Sequence, residues 1–390
     1  MEERRSLQDL SPANGTSALD RLAVDIGEAT GGDVVIERFL GGGRAGQVYA
    51  ARQPSLDRSV AVKILLPRLA RDPKSVSRFK QEARAMAGCP HPGVVSVYSV
   101  GETGSGLPFF VMEHVDGEPL EERLKRKGKL PLQEVVRITT AVADALTYAH
   151  ERGCLHRDVR PGNVLLEKRT GRVLLTDFGL AKLASGKGTA VTLTGTGEIM
   201  GTPSYLSPEQ AESGTVDERS DQYSLAVTAY EMLTGRLPFE GPDEQEYVRQ
   251  HAEETPPCLL RLEPGLPLAL SKVVDRGLMK EPGARFASAE AFGEALRSAA
   301  AEAAARAERR VAQGHYRGYE RQLVQAGAVY AGAAWGVLEA TTWVIETFNL
   351  PIAFRQPAMW LVIAAFPVTL GLVWHHLRAD RHSQAELALR

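Results

Sequence analysis

A two-lobed α+β chain, strand-rich in front and helical behind, is predicted by three features of the sequence. From Val34 to about Val115 short β-branched runs dominate, namely VVIERFL, SVAVKILL, VVSVYSV and PFFVMEHV. One helix-like stretch, Pro73 to about Met86, interrupts them. From Leu120 onward apolar residues recur at three- and four-residue spacing, as in QEVVRITTAVADALTYAHERG, which ends at Gly153. Strands followed by helices, not alternating with them, separate into a small β-rich lobe and a larger helical one.

The flanks read differently. Residues 1–33 are polar and broken by Pro12 and Gly15; they are expected to form a flexible extension and lack the apolar core of a signal peptide. The two-lobed domain takes 34–297. An Ala/Arg-rich helical linker follows over 298–322, built from helix formers without a strong apolar face. Residues 323–377 read as two transmembrane helices, about 323–345 and 358–377, with 378–390 as a tail. Ala358 to Leu377 is 20 residues without a charge, about 30 Å as a helix. The first span contains Glu339, with Glu346 just after it, and a mid-bilayer charge costs roughly 2.5–3.5 kcal/mol. Arg306, Arg309, Arg310, Arg317 and Arg321 precede the pair, Arg378 and Arg381 follow it, and the loop between holds only Arg355. The positive-inside rule then places the domain and the tail on the cytoplasmic side of the cell (inner) membrane. The competing reading is a soluble helical hairpin that caps the domain. Gly332 and Gly336, in a stripe with Ala328 and Ala340, fit either the hairpin's own seam or the pairing of two copies as a homodimer.

Composition excludes little but narrows the partners. With 44% apolar and 24% charged residues the chain is ordinary and globular, and a net charge of -2 gives no bulk basicity for nucleic acid. Cys89, Cys154 and Cys258 form no CxxC pair, so neither a zinc site nor a disulfide framework is expected.

Four motifs carry the chemistry. Gly41-Gly42-Gly43-Arg44-Ala45-Gly46-Gln47-Val48 has the pattern GxGxxGxV between two candidate strands. Such glycines let backbone amides approach phosphates. Alone, the pattern fits a ligand-free hairpin about equally well, and a Rossmann loop less well because a strand follows. Val60-Ala61-Val62-Lys63 ends an apolar strand, and Glu82 lies 19 residues on, within the helix-like stretch. A Lys–Glu pair would hold the ammonium against phosphates. His156-Arg157-Asp158-Val159-Arg160-Pro161-Gly162-Asn163 and Val173-Leu174-Leu175-Thr176-Asp177-Phe178-Gly179 supply two carboxylates and an amide, suited to a base and two magnesium ligands. Either alone could be a surface turn.

With all four motifs in order, the chain resembles the eukaryotic-like protein kinases, close to their bacterial Ser/Thr branch, over about 34–297. The resemblance continues through Gly201-Thr202-Pro203-Ser204-Tyr205-Leu206-Ser207-Pro208-Glu209, Arg219-Ser220-Asp221-Gln222-Tyr223-Ser224 and Pro282-Gly283-Ala284-Arg285-Phe286. The C-terminus is similar to a two-span hairpin attached to various bacterial signalling proteins. The kinase resemblance implies ATP and Mg2+ as cofactors and proteins as substrates. It implies that Asp158 orients the substrate hydroxyl, Asn163 and Asp177 hold magnesium, and Lys63, anchored by Glu82, grips the α- and β-phosphates. Leu40, Gly41, Gly43, Gly46, Val48 and Ala61 would surround the nucleotide, with the Glu113 carbonyl and Val115 amide at the adenine and Met112 behind it. Asp221 would brace the catalytic loop, Arg285 would pair with Glu209, and Thr202 would help shape the activation segment. Thr194 and Thr196 match the family's phosphosites, with Arg157 as the phosphate's partner. Four departures stand out: Arg44-Ala45 in the glycine loop, Ser207 for alanine, Ala226 for glycine, and Arg160 where Ser/Thr kinases place the lysine that meets the γ-phosphate. The implied function is a membrane-anchored Ser/Thr kinase activated by autophosphorylation. A nucleotide-binding scaffold without turnover, resting on Arg160, and a small-molecule phosphotransferase are the alternatives.

Overall fold

The structure, a computed structural model, describes residues 15–43, 46–178, 203–212 and 215–348, with scattered positions beyond. It divides into two compact units, Met1–Glu302 and Ala303–Arg390.

The first unit opens with α1 (Gly15–Ala29), β1 (Val35–Gly42), β2 (Gly46–Gln53), β3 (Arg58–Leu65), α2 (Pro67–Ala70), α3 (Pro73–Ala87), β4 (Val97–Glu102) and β5 (Pro108–Glu113). The five strands form one antiparallel sheet in the order β1-β2-β3-β5-β4. Alternation explains its two faces. Val60, Val62 and Ile64 of β3 join one apolar cluster, whereas Ala61 and Leu65 join the other. Lys63 shares the second face and stands opposite Val48 on β2 and Phe110 on β5. Helix α3 starts where the Asp72 carboxylate accepts the N–H groups of Lys74 and Ser75, with Pro73 at the first position. Its buried face is Phe79, Glu82, Ala83 and Met86, so an acid rides on an apolar stripe.

The expected flexible extension over 1–33 is corrected for 15–29, which form α1. Leu22 and Ile26 are buried with Val34, Ile36, Val60 and Val62 on the outer face of the sheet. An apolar sheet face otherwise open to water is the physical reason for the helix to dock. Residues 1–14 lie outside the described residues.

The helical lobe contains β6 (Gly117–Pro119), α4 (Leu120–Lys127), α5 (Leu132–His150), β7 (Val164–Glu167), β8 (Val173–Leu175), α6 (Pro208–Ala211), α7 (Glu218–Thr234), α8 (Glu244–Glu253), α9 (Leu259–Leu262), α10 (Leu268–Gly277) and α11 (Ala289–Thr347). Strands β6, β7 and β8 make a small antiparallel sheet. Helix α7 is buried on nearly every side from Ser220 to Leu233, which is why it lacks an apolar stripe in sequence. Ala226, the replacement for glycine, packs toward Gly277 of α10, where a Cβ would come within 2.8 Å of it. Phe292, Leu296 and Ala299 bury the start of α11 in the core of this lobe.

In the second unit, most of the expected linker and first span, 303–345, belong to the single helix α11. Trp335, Val337, Trp343 and Val344 are exposed on it. Among the described residues no helix is long and apolar enough to cross a membrane; Gln325, Glu339, Thr341 and Thr342 dilute this stretch. The expected second span, 358–377, lies outside the described residues except for Trp360 and Ala364.

Candidate active site

The glycine hairpin joins β1 to β2. A Cβ at Gly46 would meet the Ile64 carbonyl oxygen at 2.6 Å, so glycine alone lets β2 lie this close to β3. The Gly43 N–H donates to the Gly46 carbonyl at 2.9 Å. Gly41 and Gly43 have open space where a side chain would stand. Leu40 is exposed, Val48 packs against the core from β2, and Ala61 is buried on β3. Arg44 and Ala45 lie outside the described residues.

Lys63 reaches two acids. Its Nζ lies 2.6 Å from Glu82 Oε1 and 2.9 Å from Asp177 Oδ1. Burial opposes its charge, but the Asp177 and Glu82 carboxylates outweigh burial and raise its pKa, so Lys63 is an ammonium. Burial raises the pKa of Glu82 against the pull of Lys63. At Asp177 burial also acts upward, but Lys63 prevails and the pKa is lowered, leaving a carboxylate at neutral pH.

The catalytic loop between α5 and β7 is braced from α7. Asp221 accepts the backbone N–H of His156 at 2.8 Å and of Arg157 at 2.6 Å. His150 Nε2 lies 2.8 Å from the same carboxylate. Arg157 (φ 65°) and Asp177 (φ 59°) both adopt the left-handed conformation that non-glycine residues rarely take. Burial lowers the His156 pKa, so the ring is neutral. Its Nδ1 accepts the Asp158 N–H at 3.2 Å, which leaves Nε2–H to donate to the Thr176 carbonyl at 3.0 Å. The ring also packs on Phe178 with centroids 4.7 Å apart. His156 thereby joins the loop bearing Asp158 to the strand end bearing Asp177.

Asp158 is held in turn by Asn163, whose Nδ2 donates to the Asp158 carbonyl at 2.8 Å and to its Oδ2 at 2.9 Å. Arg160 Nε approaches that Oδ2 at 3.3 Å. With Nδ2 engaged, Asn163 keeps Oδ1 as a hard oxygen donor. Together with the Asp177 carboxylate it forms a donor set suited to Mg2+. The residues present therefore fit a magnesium nucleotide: carboxylate and amide oxygens for the metal, an ammonium for phosphate oxygens and a glycine hairpin with room above it.

The comparisons agree with this arrangement. A family model described as "Protein kinase domain" matches residues 34–293. The chain belongs to the protein kinase family. The serine/threonine-protein kinase pkn3 of Myxococcus xanthus is 39% identical over 268 residues, which cover 67% of this chain and 49% of that protein. PknA of Mycobacterium tuberculosis is 39% identical over 275 residues, covering 70% and 62%. The chain thus spans about half to three-fifths of the length of these curated relatives. The crystal structure of the Mycobacterium tuberculosis PknI kinase domain superposes with a TM-score of 0.55 at 34% identity, covering 68% of this chain and 96% of that one. This is a kinase domain of the kind found in bacterial serine/threonine kinases, a family that uses ATP and Mg2+.

In the kinase domain the remaining site residues fall as follows. The Glu113 N–H donates to the Ser96 carbonyl at 2.8 Å, and half-buried Val115 follows it in the segment between the lobes. Met112 is buried on β5. Arg285 and Glu209 form a two-pronged ion pair, both contacts at 2.8 Å. Thr194, Thr196 and Thr202 lie outside the described residues.

Several supporting contacts were not anticipated from the sequence. Arg172, in the turn before β8, donates to the Glu113 carboxylate at 2.6 Å across 59 residues. Tyr205 donates its hydroxyl to Glu231 at 2.7 Å. Ser207 caps α6: its hydroxyl accepts the Gln210 N–H, while Gln210 accepts the Ser207 N–H and donates to the Arg157 carbonyl at 3.1 Å. The signal for that last device was present, since S-x-x-Q is a capping box, and it explains the departure from alanine.

Proposed function

We propose that this chain is a serine/threonine protein kinase that transfers the γ-phosphoryl group of MgATP to protein hydroxyls. The observation that carries the reading is Lys63 lying within ion-pair distance of both Glu82 and Asp177, while Asp221 holds the loop that presents Asp158 and Asn163. MgATP supplies the transferable phosphoryl group. Asp158 accepts a hydrogen bond from the substrate hydroxyl and aims it; Asn163 and Asp177 hold the metal; Lys63 steadies the α- and β-phosphates; Arg160 meets the γ-phosphate. The hairpin residues Leu40, Gly41, Gly43, Gly46 and Val48 cover the nucleotide, and Ala61, Glu113 and Val115 receive its base. Phosphoryl transfer depends chiefly on positioning and charge stabilisation, which this arrangement supports. The test is Asp158→Asn: transfer from γ-labelled ATP to protein is lost while nucleotide binding persists. Transfer at the wild-type rate by the purified variant would sink the assignment.

Activation by phosphorylation of Thr194 or Thr196, with Arg157 receiving the phosphate, belongs to the same reading. So does attachment to the cell (inner) membrane, with the kinase domain and tail cytoplasmic. Support for attachment comes from the uncharged stretch 358–377 and the arginines flanking 323–377. Gly332 and Gly336 would pair two copies as a homodimer. Removal of 323–390 should release the protein from sedimented membranes; an unchanged soluble fraction would remove this part of the proposal.

A further inference from the structure

The turn Pro161–Asn163 closes the catalytic loop. Gly162, at its centre, is not among the glycines with positive φ, so the backbone does not demand glycine there. The demand comes from a side chain. A Cβ on Gly162 would lie 2.3 Å from Arg160 Nη1 and 3.0 Å from Arg160 Cζ, with Glu121 Oε2 at 3.2 Å on the rim. All three are side-chain atoms. Arg160 is extended at φ -161° and ψ 162°, and its side chain turns back over the turn with Nε 3.3 Å from Asp158 Oδ2.

We infer that Gly162 is a positioning residue, whose missing side chain is the seat that holds the Arg160 guanidinium beside Asp158. The inference rests on the proposed role of Arg160 at the γ-phosphate. A lysine would carry its charge on an unforked stem and would not need this lateral room. Glycine at 162 is thus the counterpart of arginine at 160. The nearest atoms an added methyl at 162 meets are the far ends of flexible side chains, so the guanidinium shifts and the fold is kept. Lys63, Glu82 and Asp177 are untouched, which separates turnover from nucleotide binding.

The experiment uses the full chain as wild type, Gly162→Ala, Arg160→Lys, the double variant and Arg160→Ala. The readouts are kcat and KM for ATP with one acceptor protein, and Tm. Displacing a charged group by about an ångström costs up to roughly a hundredfold in rate. The expectation is therefore a kcat reduced about tenfold in Gly162→Ala, with KM for ATP and Tm close to wild type. Adding Gly162→Ala to Arg160→Lys should change kcat less than about twofold relative to Arg160→Lys alone. Equal losses in both backgrounds, or none with arginine at 160, would overturn the seat. Wild-type kcat in Arg160→Ala would instead overturn the role of Arg160 itself. A crippled Arg160→Ala beside an unaffected Gly162→Ala would overturn only the seat.

Discussion

Replacing Arg285 with alanine removes a guanidinium whose N–H groups donate five hydrogen bonds: two to Glu209 and one each to the carbonyls of Met279, Lys280 and Arg219. Those five bonds match the five donors arginine possesses. The Arg285 side chain is 0% exposed and that of Glu209 8%, so water does not replace the lost partner. Burial by itself would raise the Glu209 pKa; the hydrogen bonds and charge of Arg285 reverse that and hold it below the usual 4.5. The pair's contribution is accordingly present above about pH 4.5 and is lost as pH falls through the folded value. Breaking a buried pair on one side costs about 3–5 kcal/mol, or roughly 6–20 °C in Tm for a domain of this size. Arg285→Lys keeps the charge but has three donors, and should lose about half as much. Circular dichroism during urea and thermal unfolding is the appropriate assay, because all four tryptophans lie at or beyond Trp335, outside the kinase domain. A loss below about 1 kcal/mol in Arg285→Ala, the range of exposed pairs, would refute the reasoning.

Three other outcomes follow from the geometry. Burial, opposed by the Ser204 carbonyl and aided by the Lys280 ammonium, lowers the His251 pKa to about 4 from 6.5. Between those values the unfolded chain takes up a proton that the folded chain refuses, so stability falls as pH drops from about 6.5 to 4, by about 3 kcal/mol in all. His251→Gln should flatten that slope in a Tm-against-pH series, and an unchanged slope would assign it to other groups. Ile26→Ala should destabilise the small lobe by about 2–4 kcal/mol, read as faster amide exchange in β1 to β3; no change would mean that α1 is undocked in solution. Thr194→Ala combined with Thr196→Ala should lower activity and abolish activation-segment phosphate in mass spectra, whereas full activity would place activation elsewhere.

The residues of the candidate site were legible because each sits in a short motif whose neighbours fall at the same site. Lys63 and Glu82 could be paired across 19 residues because one ended an apolar strand and the other lay on the next helix. Asp221 and Arg285 came from the family resemblance, not from any periodicity, since α7 is buried all round and shows no stripe. Helix α1 was legible in principle: Leu19, Leu22, Ala23 and Ile26 follow helical spacing, but the acidic residues among them and nearby Pro12 and Gly15 obscured it. Arg172 with Glu113 and Tyr205 with Glu231 carry no local signal, since each pair meets only after the lobe has folded. The seat at Gly162 has no sequence signal because a glycine's empty side is defined only by what fills it in the folded chain.

Arg157 and Asp177 have a consequence for protein engineering. A non-glycine residue in the left-handed region sits about 1–2 kcal/mol above its relaxed backbone, and both positions lie on the loops that carry the proposed chemistry. Glycine at either would relieve that strain while deleting a side chain with a proposed role, metal binding for Asp177 and receipt of the activating phosphate for Arg157. A library of variants selected for heat resistance alone would thus be drawn toward glycine at two positions where it would harm the proposed function. Screens on this scaffold need an activity readout in every round.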